Sequence, residues 1–307
     1  MPNQAKLLHR AKNHFVNCWQ IYLMLLPVLA YYLIFQYGPL YGAQIAFRKF
    51  SFTAGITGSR WVGLKYFEDF FSSIYFPRLI RNTLLISMYN LIFGFPVPIL
   101  LALLFNEVRS RKMQTVVQTC TYLPHFISLV VVCSLIKSFF ATNGLLTALL
   151  SYVGFPAHNY MLDQSAYRSI YVLSGIWQNA GWDSIVFFAA LAAVDPCLYE
   201  VAKLDGAGRL RQIWSITLPS IAPTIIIMLI IRVGYIMDLG SEKTLLLYNA
   251  STYETGDIIA SYVYRKGLEE MNYSYSVAVD LFNSVINFTM IVLVNMISKR
   301  VTDTSLF

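Results

Sequence analysis

Long apolar runs dominate this chain, and short polar segments separate them. A membrane-spanning helix needs about 20 mostly apolar residues. Six stretches qualify: residues 18–37, 82–105, 119–140, 168–194, 219–239 and 277–298. The first carries no charge. Pro96 and Pro98 predict a kink in the second, and Pro124 predicts a break in the third. Single charges mark the others: Lys137 in the third, Asp183 in the fourth, Arg232 in the fifth and Asp280 in the sixth. Residues 143–154 are apolar but too short to span. They predict an interfacial helix between the third and fourth spans.

Composition agrees with this pattern. Of 307 residues, 57% are hydrophobic and only 13% charged, and the mean hydropathy is +0.55. A soluble domain carries about a quarter charged residues. The chain therefore reads as an all-α integral membrane protein with six transmembrane helices. The net charge of +7 does not point to nucleic acid, because no basic run sits beside an interleaved aromatic platform. Anionic headgroups and the positive-inside rule account for it more simply. Cys18, Cys120, Cys133 and Cys197 form no CxxC pair. Small buried packing residues are expected, with neither disulfide nor metal. The basic N-terminus precedes an apolar run long enough to span and without a small-residue cleavage site, so no cleavable signal is expected.

Loop charges orient the spans. With the N-terminus inside, the inner segments hold Lys6, Arg10, Lys12, Arg109, Arg111, Lys112, Lys203, Arg209, Arg211, Lys299 and Arg300. The much longer outer segments hold Arg48, Lys49, Arg60, Lys65, Arg78, Lys243, Arg265 and Lys266, with Arg81 and Arg168 at helix starts. The density of positive charge favours this orientation. The organisation is then a cytoplasmic tail (1–17), a first span with its outer segment (18–77), a core (78–298) and a second cytoplasmic tail (299–307).

One polar island, residues 199–219, reads YEVAKLDGAGRLRQIWSITLP. Upstream, Asp195-Pro196 is a good helix start, with Asp as cap and Pro at the first helical position. A short helix is expected to about Leu204, then a turn at Asp205-Gly206. A second short helix, from Ala207 to about Thr217, would align Leu210, Ile213, Trp214 and Thr217. By composition alone this is a cytoplasmic loop with an amphipathic helix.

Residue order says more. Glu200-Val201-Ala202, then Asp205-Gly206-Ala207, then Ile216-Thr217-Leu218-Pro219 resembles the EAA loop of ABC importer permeases. Val201 stands where that family has its first Ala, and Trp214 stands near its frequent Phe. Other stretches resemble the polysaccharide-type carbohydrate subfamily. They include Trp61-Val62-Gly63-Leu64, Asn82-Thr83-Leu84, the run from Tyr122 to Ser128, Gly181-Trp182, and 253–265 with its Thr-Gly-Asp-Ile and Tyr-Val-Tyr-Arg. Nearly the whole chain is covered.

The resemblance implies a type I ABC importer fold, with a cytoplasmic coupling-helix loop (195–219) between helices four and five. It implies a second homologous permease, two cytoplasmic ABC ATPase subunits, an extracytoplasmic solute-binding protein and an oligosaccharide substrate. It also places the chain in the bacterial cytoplasmic (inner) membrane. No GxxxxGK[ST] occurs, so ATP and Mg are expected on the partner ATPases and no cofactor on this chain. Within the loop, Glu200 and Asp205 are the expected polar anchors. Val201, Ala202, Ala207 and Leu210 are the expected packing face. Gly206 and Gly208 permit the turn and close approach, and Leu218 and Pro219 close the segment. ATPase closure would then move helices four and five together.

Polar residues inside the spans suggest a pathway. A charge at the bilayer centre costs about 2.5–3.5 kcal/mol on insertion scales, so each needs a partner or water. Arg232 falls in the outer half of its span and would suit an acidic sugar, with Asp183 or Asp280 as possible partners. Trp177, Gln178, Asn179 and Trp182 combine rings and amides, as sugar recognition requires. Helix packing explains them equally well. Tyr235 completes the candidate set. Tyr248, Tyr253, Tyr262, Tyr264, Tyr273 and Tyr275 read as an interfacial aromatic belt, and Lys137 as snorkelling. A membrane enzyme would want HExxH, GxSxG or paired acids, none of which occurs. A secondary transporter should show matching broken segments in its two halves, and none is obvious. A permease for a non-sugar solute stays open.

Overall fold

The computed structural model describes residues 18–108 and 110–302. The tail 1–17, Arg109 and residues 303–307 lie outside the described residues. The longer helices are α1 (Trp19–Phe47), α2 (Lys65–Phe71), α3 (Phe76–Glu107), α4 (Arg111–Phe126), α5 (Leu129–Phe139), α6 (Leu145–Tyr152), α7 (Gln164–Ala192), α8 (Pro196–Leu204), α9 (Arg209–Gly234), α10 (Ser241–Leu247), α11 (Ile259–Tyr264) and α12 (Tyr273–Thr302). Among them, α1, α3, α9 and α12 are each long and apolar enough to cross a membrane. The bent pairs α4–α5 and α7–α8 bring the number to six if each counts as one span. One two-stranded antiparallel sheet, β1 (Arg48–Lys49) with β2 (Arg60–Trp61), sits in the connection after α1.

Five of the six spans begin earlier than the apolar runs that announced them, while α9 stops at Gly234, short of residue 239. The second begins at Phe76 rather than Asn82, and a π-turn at Asn90–Gly94 precedes Pro96, absorbing the ring and the missing donor. The third is two helices meeting at 97°. Pro124 forces the turn Leu123–Phe126, and the Ser128 Oγ then caps a fresh helix by accepting from Val131 N. The short helix expected over 143–154 is α6, which packs on α5.

Packing ranks the helices. α7 is the central one: it packs chiefly on the second half of α3 and also touches α4 and α9. By contrast, Trp19–Tyr31 and Tyr32–Tyr37 of α1 bury no residue. Gly181 lets α7 approach α4, since a Cβ there would stand 2.2 Å from the Thr121 carbonyl oxygen. That contact faces the broken third span. Gln178 Nε2 donates to the Ile127 carbonyl at 3.3 Å, supplying a partner at the break. The His125 ring stacks on Trp182 with centroids 4.7 Å apart.

A second clasp ties the start of α7 to α3 and the 253–265 segment. Asp257 is fully buried. Its carboxylate accepts from Arg265 Nη1 and Nη2, both at 2.8 Å, from Arg78 Nη2 at 3.2 Å and from Ser261 Oγ at 2.8 Å. Buried Asn82 donates to the Glu254 and Asp257 carbonyls and accepts from Arg168 Nη2. Thr83 Oγ1 accepts from Ile259 N. Gly256 lies against the Tyr167 ring, where a Cβ would come within 2.7 Å. Burial opposes the Arg265 charge, but the hydrogen bonds and charge of Asp257, then Tyr248, outweigh it and hold its pKa raised.

Two expectations are corrected here. The tyrosines are not a simple interfacial belt: Tyr248, Tyr253 and Tyr262 surround the Arg265 guanidinium, and Tyr262 and Tyr275 are buried with their hydroxyls 3.2 Å apart. Of the cysteines only Cys133 is buried, because Cys120 and Cys197 fall on outward helix faces. All four are unpaired.

Candidate functional site

Four helices, α3, α7, α9 and α10, and the connection at Leu239 line a cavity of about 340 Å³. On α7, Tyr171, Gly175, Asn179 and Asp183 recur every fourth residue and so line one stripe. Asn90 and Gly94 face them from the π-turn of α3, Arg232 from the end of α9, and Lys243 from α10. Arg232 Nη1 stands 3.6 Å from Asp183 Oδ2, and both side chains keep partial access to solvent. The Asn179 Nδ2 donates to the Gly175 carbonyl, and its Oδ1 lies 3.0 Å from His125 Nδ1. Arg232 also lines a neighbouring cavity of about 260 Å³, together with Tyr235 and Asp238.

The sequence candidates therefore divide. Asn179, Asp183 and Arg232 converge on one cavity, with Tyr235 next door. Gln178 and Trp182 serve the break at Ile127 and His125 instead. Trp177 turns to an apolar cavity with Leu135, Phe139 and Leu173. The periodicity of four separates the two sets, and it was readable in the sequence. Lys243 was not found. The sequence reads it as one more outer-loop charge, yet its ammonium donates to the Tyr171 carbonyl at 2.7 Å, on the cavity wall. The only hint was a single Lys opening the run Thr244-Leu245-Leu246-Leu247.

The island folds as two arms about a glycine turn. Asp195 Oδ1 accepts from Cys197 N, capping α8, with Pro196 in the first turn. At the other end Ala207 N donates to the Ala202 carbonyl and Gly206 N to that of Lys203, a Schellman closure. It requires the positive φ of Gly206, which is +75°. The second arm corrects the sequence reading. It is not a separate short helix from Ala207 to about Thr217: Arg209–Gln212, the π-turn Ile213–Thr217 and Leu218–Gly234 form one continuous α9. The widened π-turn accommodates Pro219, which sits just after it.

Contacts fix the island's shape. Tyr199 OH and Thr217 Oγ1 are 3.0 Å apart across the arms. Gln212 Nε2 donates to the Ala207 carbonyl, and Arg209 pairs with Glu107 of α3 at 3.2 Å. Ala202 and Ala207 are partly buried in the turn, whereas Val201 and Leu210 face out with Leu198, Leu204 and Trp214. The expected packing face thus splits between the two sides. Glu200 and Asp205 are exposed, and Glu200 borders a groove of about 760 Å³ that also takes in Gly208 and Lys203.

Residues 94–303, more than half of the chain, match the family described as binding-protein-dependent transport system inner membrane component. The chain belongs to this family. Its fold is that of type I ABC permeases, with four to six candidate membrane helices. The chain is 43% identical over 288 residues to the polygalacturonan/rhamnogalacturonan transport system permease protein YteP of Bacillus subtilis (strain 168), covering 94% of this chain and 90% of that one. A crystal structure of a bacterial ABC transporter involved in the import of the acidic polysaccharide alginate superposes with a TM-score of 0.87 at 42% identity, covering 95% and 99% of the two chains. The bacterial alginate ABC transporter in complex with alginate pentasaccharide-bound periplasmic protein gives 0.87 at 41% identity, covering 96% and 99%. This ABC permease chain is accordingly a transport component that works with a solute-binding protein, and not an enzyme.

Proposed function

We propose that this chain is one of two permease halves in an ATP-driven importer of acidic oligosaccharides in the cytoplasmic membrane of a bacterium. In this reading the chain crosses six times with its N-terminus inside, α4–α5 forming one span and α7 another, so that α8 and the rest of the 195–219 loop lie on the cytoplasmic side. A second homologous permease, two ABC ATPases and a binding protein complete the machine. ATP and Mg stay on the ATPases.

The observation that carries the substrate class is the cavity flanked by Arg232 and Lys243 and walled by Asn90 and Asn179. Amides suit hydroxyls and cations suit carboxylates. The likeness to importers of alginate and polygalacturonan points the same way. For coupling, the support is the exposed apolar row Leu198, Val201 and Leu204 on α8, beside Glu200 and Asp205. A row that faces water on a pinned loop fits a groove on a partner. ATPase closure would shift α8, and α9 would follow because the turn joins them.

The test is reconstitution of the complete transporter in proteoliposomes. Uptake of a galacturonate oligosaccharide should require both ATP and the loaded binding protein. Uptake that follows an ion gradient without ATP would overturn the importer reading. ATP-dependent uptake confined to neutral sugars would overturn the acidic one.

A further inference from the structure

The cavity beside α7 holds two cations in unequal circumstances. Arg232 faces Asp183 at 3.6 Å, so much of its charge is cancelled. An anionic sugar approaching that pair meets a carboxylate as well as a guanidinium. Lys243 has no such neighbour: among the described residues no carboxylate lies within 4.0 Å of its ammonium. It is held by the Tyr171 carbonyl at 2.7 Å and by the face of the Tyr171 ring at 4.6 Å. An ammonium has three donors, and that carbonyl takes one.

The wall of α7 is shaped around this ammonium. Gly175 lies one turn beyond Tyr171, and a Cβ there would come 3.1 Å from Lys243 Nζ. A Cβ there would press the ammonium back by a few tenths of an ångström. Withdrawing a charge from water without a counter-ion is costly. An arriving carboxylate relieves that cost, and a neutral sugar does not.

We propose that Lys243 is the specificity-determining cation for a carboxylate-bearing sugar in transit, and that Arg232 is a positioning residue whose charge Asp183 offsets. This rests on the acidic-oligosaccharide reading above. The Asn90 and Asn179 amides take the hydroxyls that any sugar presents. Lys243 adds the discrimination between a uronate and its uncharged counterpart.

The experiment uses the complete transporter in proteoliposomes, with a galacturonate trisaccharide and its methyl ester as probes. Lys243→Gln should lower uptake of the acid about tenfold or more, the loss of one charge-assisted hydrogen bond. It should spare whatever uptake the ester shows, and Lys243→Arg should restore the acid. Acid uptake unchanged in Lys243→Gln, or acid and ester falling together, overturns the assignment. Should Lys243→Gln fail to assemble, Gly175→Ala keeps every charge and only moves the ammonium. It should lower acid uptake selectively, and unchanged acid uptake there overturns the assignment too. A wild-type transporter that ignores the acid would instead remove the reading on which the assignment rests.

Discussion

The segment 253–265 closes on the first turns of α7, and the loop 195–219 follows its last, yet the two joints are built differently. In the first, Asp257 is sealed from water and shared by Arg78, Arg265 and Ser261, with Asn82 and Thr83 holding the surrounding backbone. Its polar groups face inward. In the second, Glu200, Lys203 and Asp205 face water, Leu204 is 89% exposed, and the fixing contacts join its two arms or reach only the end of α3. One joint spends its hydrogen bonds on the chain itself. The other fixes its own shape and leaves its outer face unmatched. A domain that must stay whole while one surface engages a partner needs this division.

Breaking the first joint should have the largest effect. Asp257→Ala leaves two guanidinium groups facing a void, and removing one partner of a buried pair costs about 3–5 kcal/mol. Thermal unfolding of the purified complex in detergent should show a large fall in Tm. An unchanged Tm would deny the clasp its structural role. The opposite joint should respond in function rather than stability. Gly206→Pro cannot adopt a φ of +75°, and local strain of this kind costs roughly 1–3 kcal/mol. The subunit should still insert, while stimulation of the ATPase by loaded binding protein disappears. Normal stimulation would mean that the turn carries no coupling. The smallest effect is expected from Tyr199→Phe, which removes the hydrogen bond to Thr217. A net loss of about 0.5–1.5 kcal/mol should loosen the two arms, read as a modest fall in coupled ATPase activity with uptake retained. A loss as deep as that of Gly206→Pro would show that the arms, not the turn, set the loop's shape.

How much of this was legible depends on the range of the forces involved. The Asp195 cap, the Pro196 start, the helix to Leu204 and the Gly206 turn are local, and all were readable because capping and φ preference act over a few residues. Counting puts Arg232 in the second half of its apolar run, but not two residues from a helix end, because the helix stops at Gly234 and not near residue 239. The 97° break was signalled by Pro124 but its angle was not, because Ser128 recapping and Gln178 decide it from elsewhere. The extension of α9 back to Arg209 was hidden, since a π-turn leaves no mark in hydropathy. Lys243 was the hardest case. A lysine in a loop reads as solvated until a fold carries that loop against Tyr171 and Gly175. Asn82-Thr83 and Thr255-Gly256-Asp257-Ile258 were conspicuous as text, yet only the fold reveals that they bind each other.

The continuity of α9 sets a limit on timing. Its 26 residues run unbroken from Arg209, which pairs with Glu107, to Arg232 at the cavity two residues from its end. At about 1.5 Å per residue such a rod is roughly 39 Å long, and a tilt of about 10° about its middle swings each end by roughly 3 Å in opposite senses. A displacement of that size equals the whole reach of the Arg232–Asp183 contact. Under the proposed coupling the two ends would keep a common clock: the cavity could not stay as it is once an ATPase had taken up the far end of the rod. What slack exists lies at the π-turn Ile213–Thr217, and so the phase between the two ends is set there.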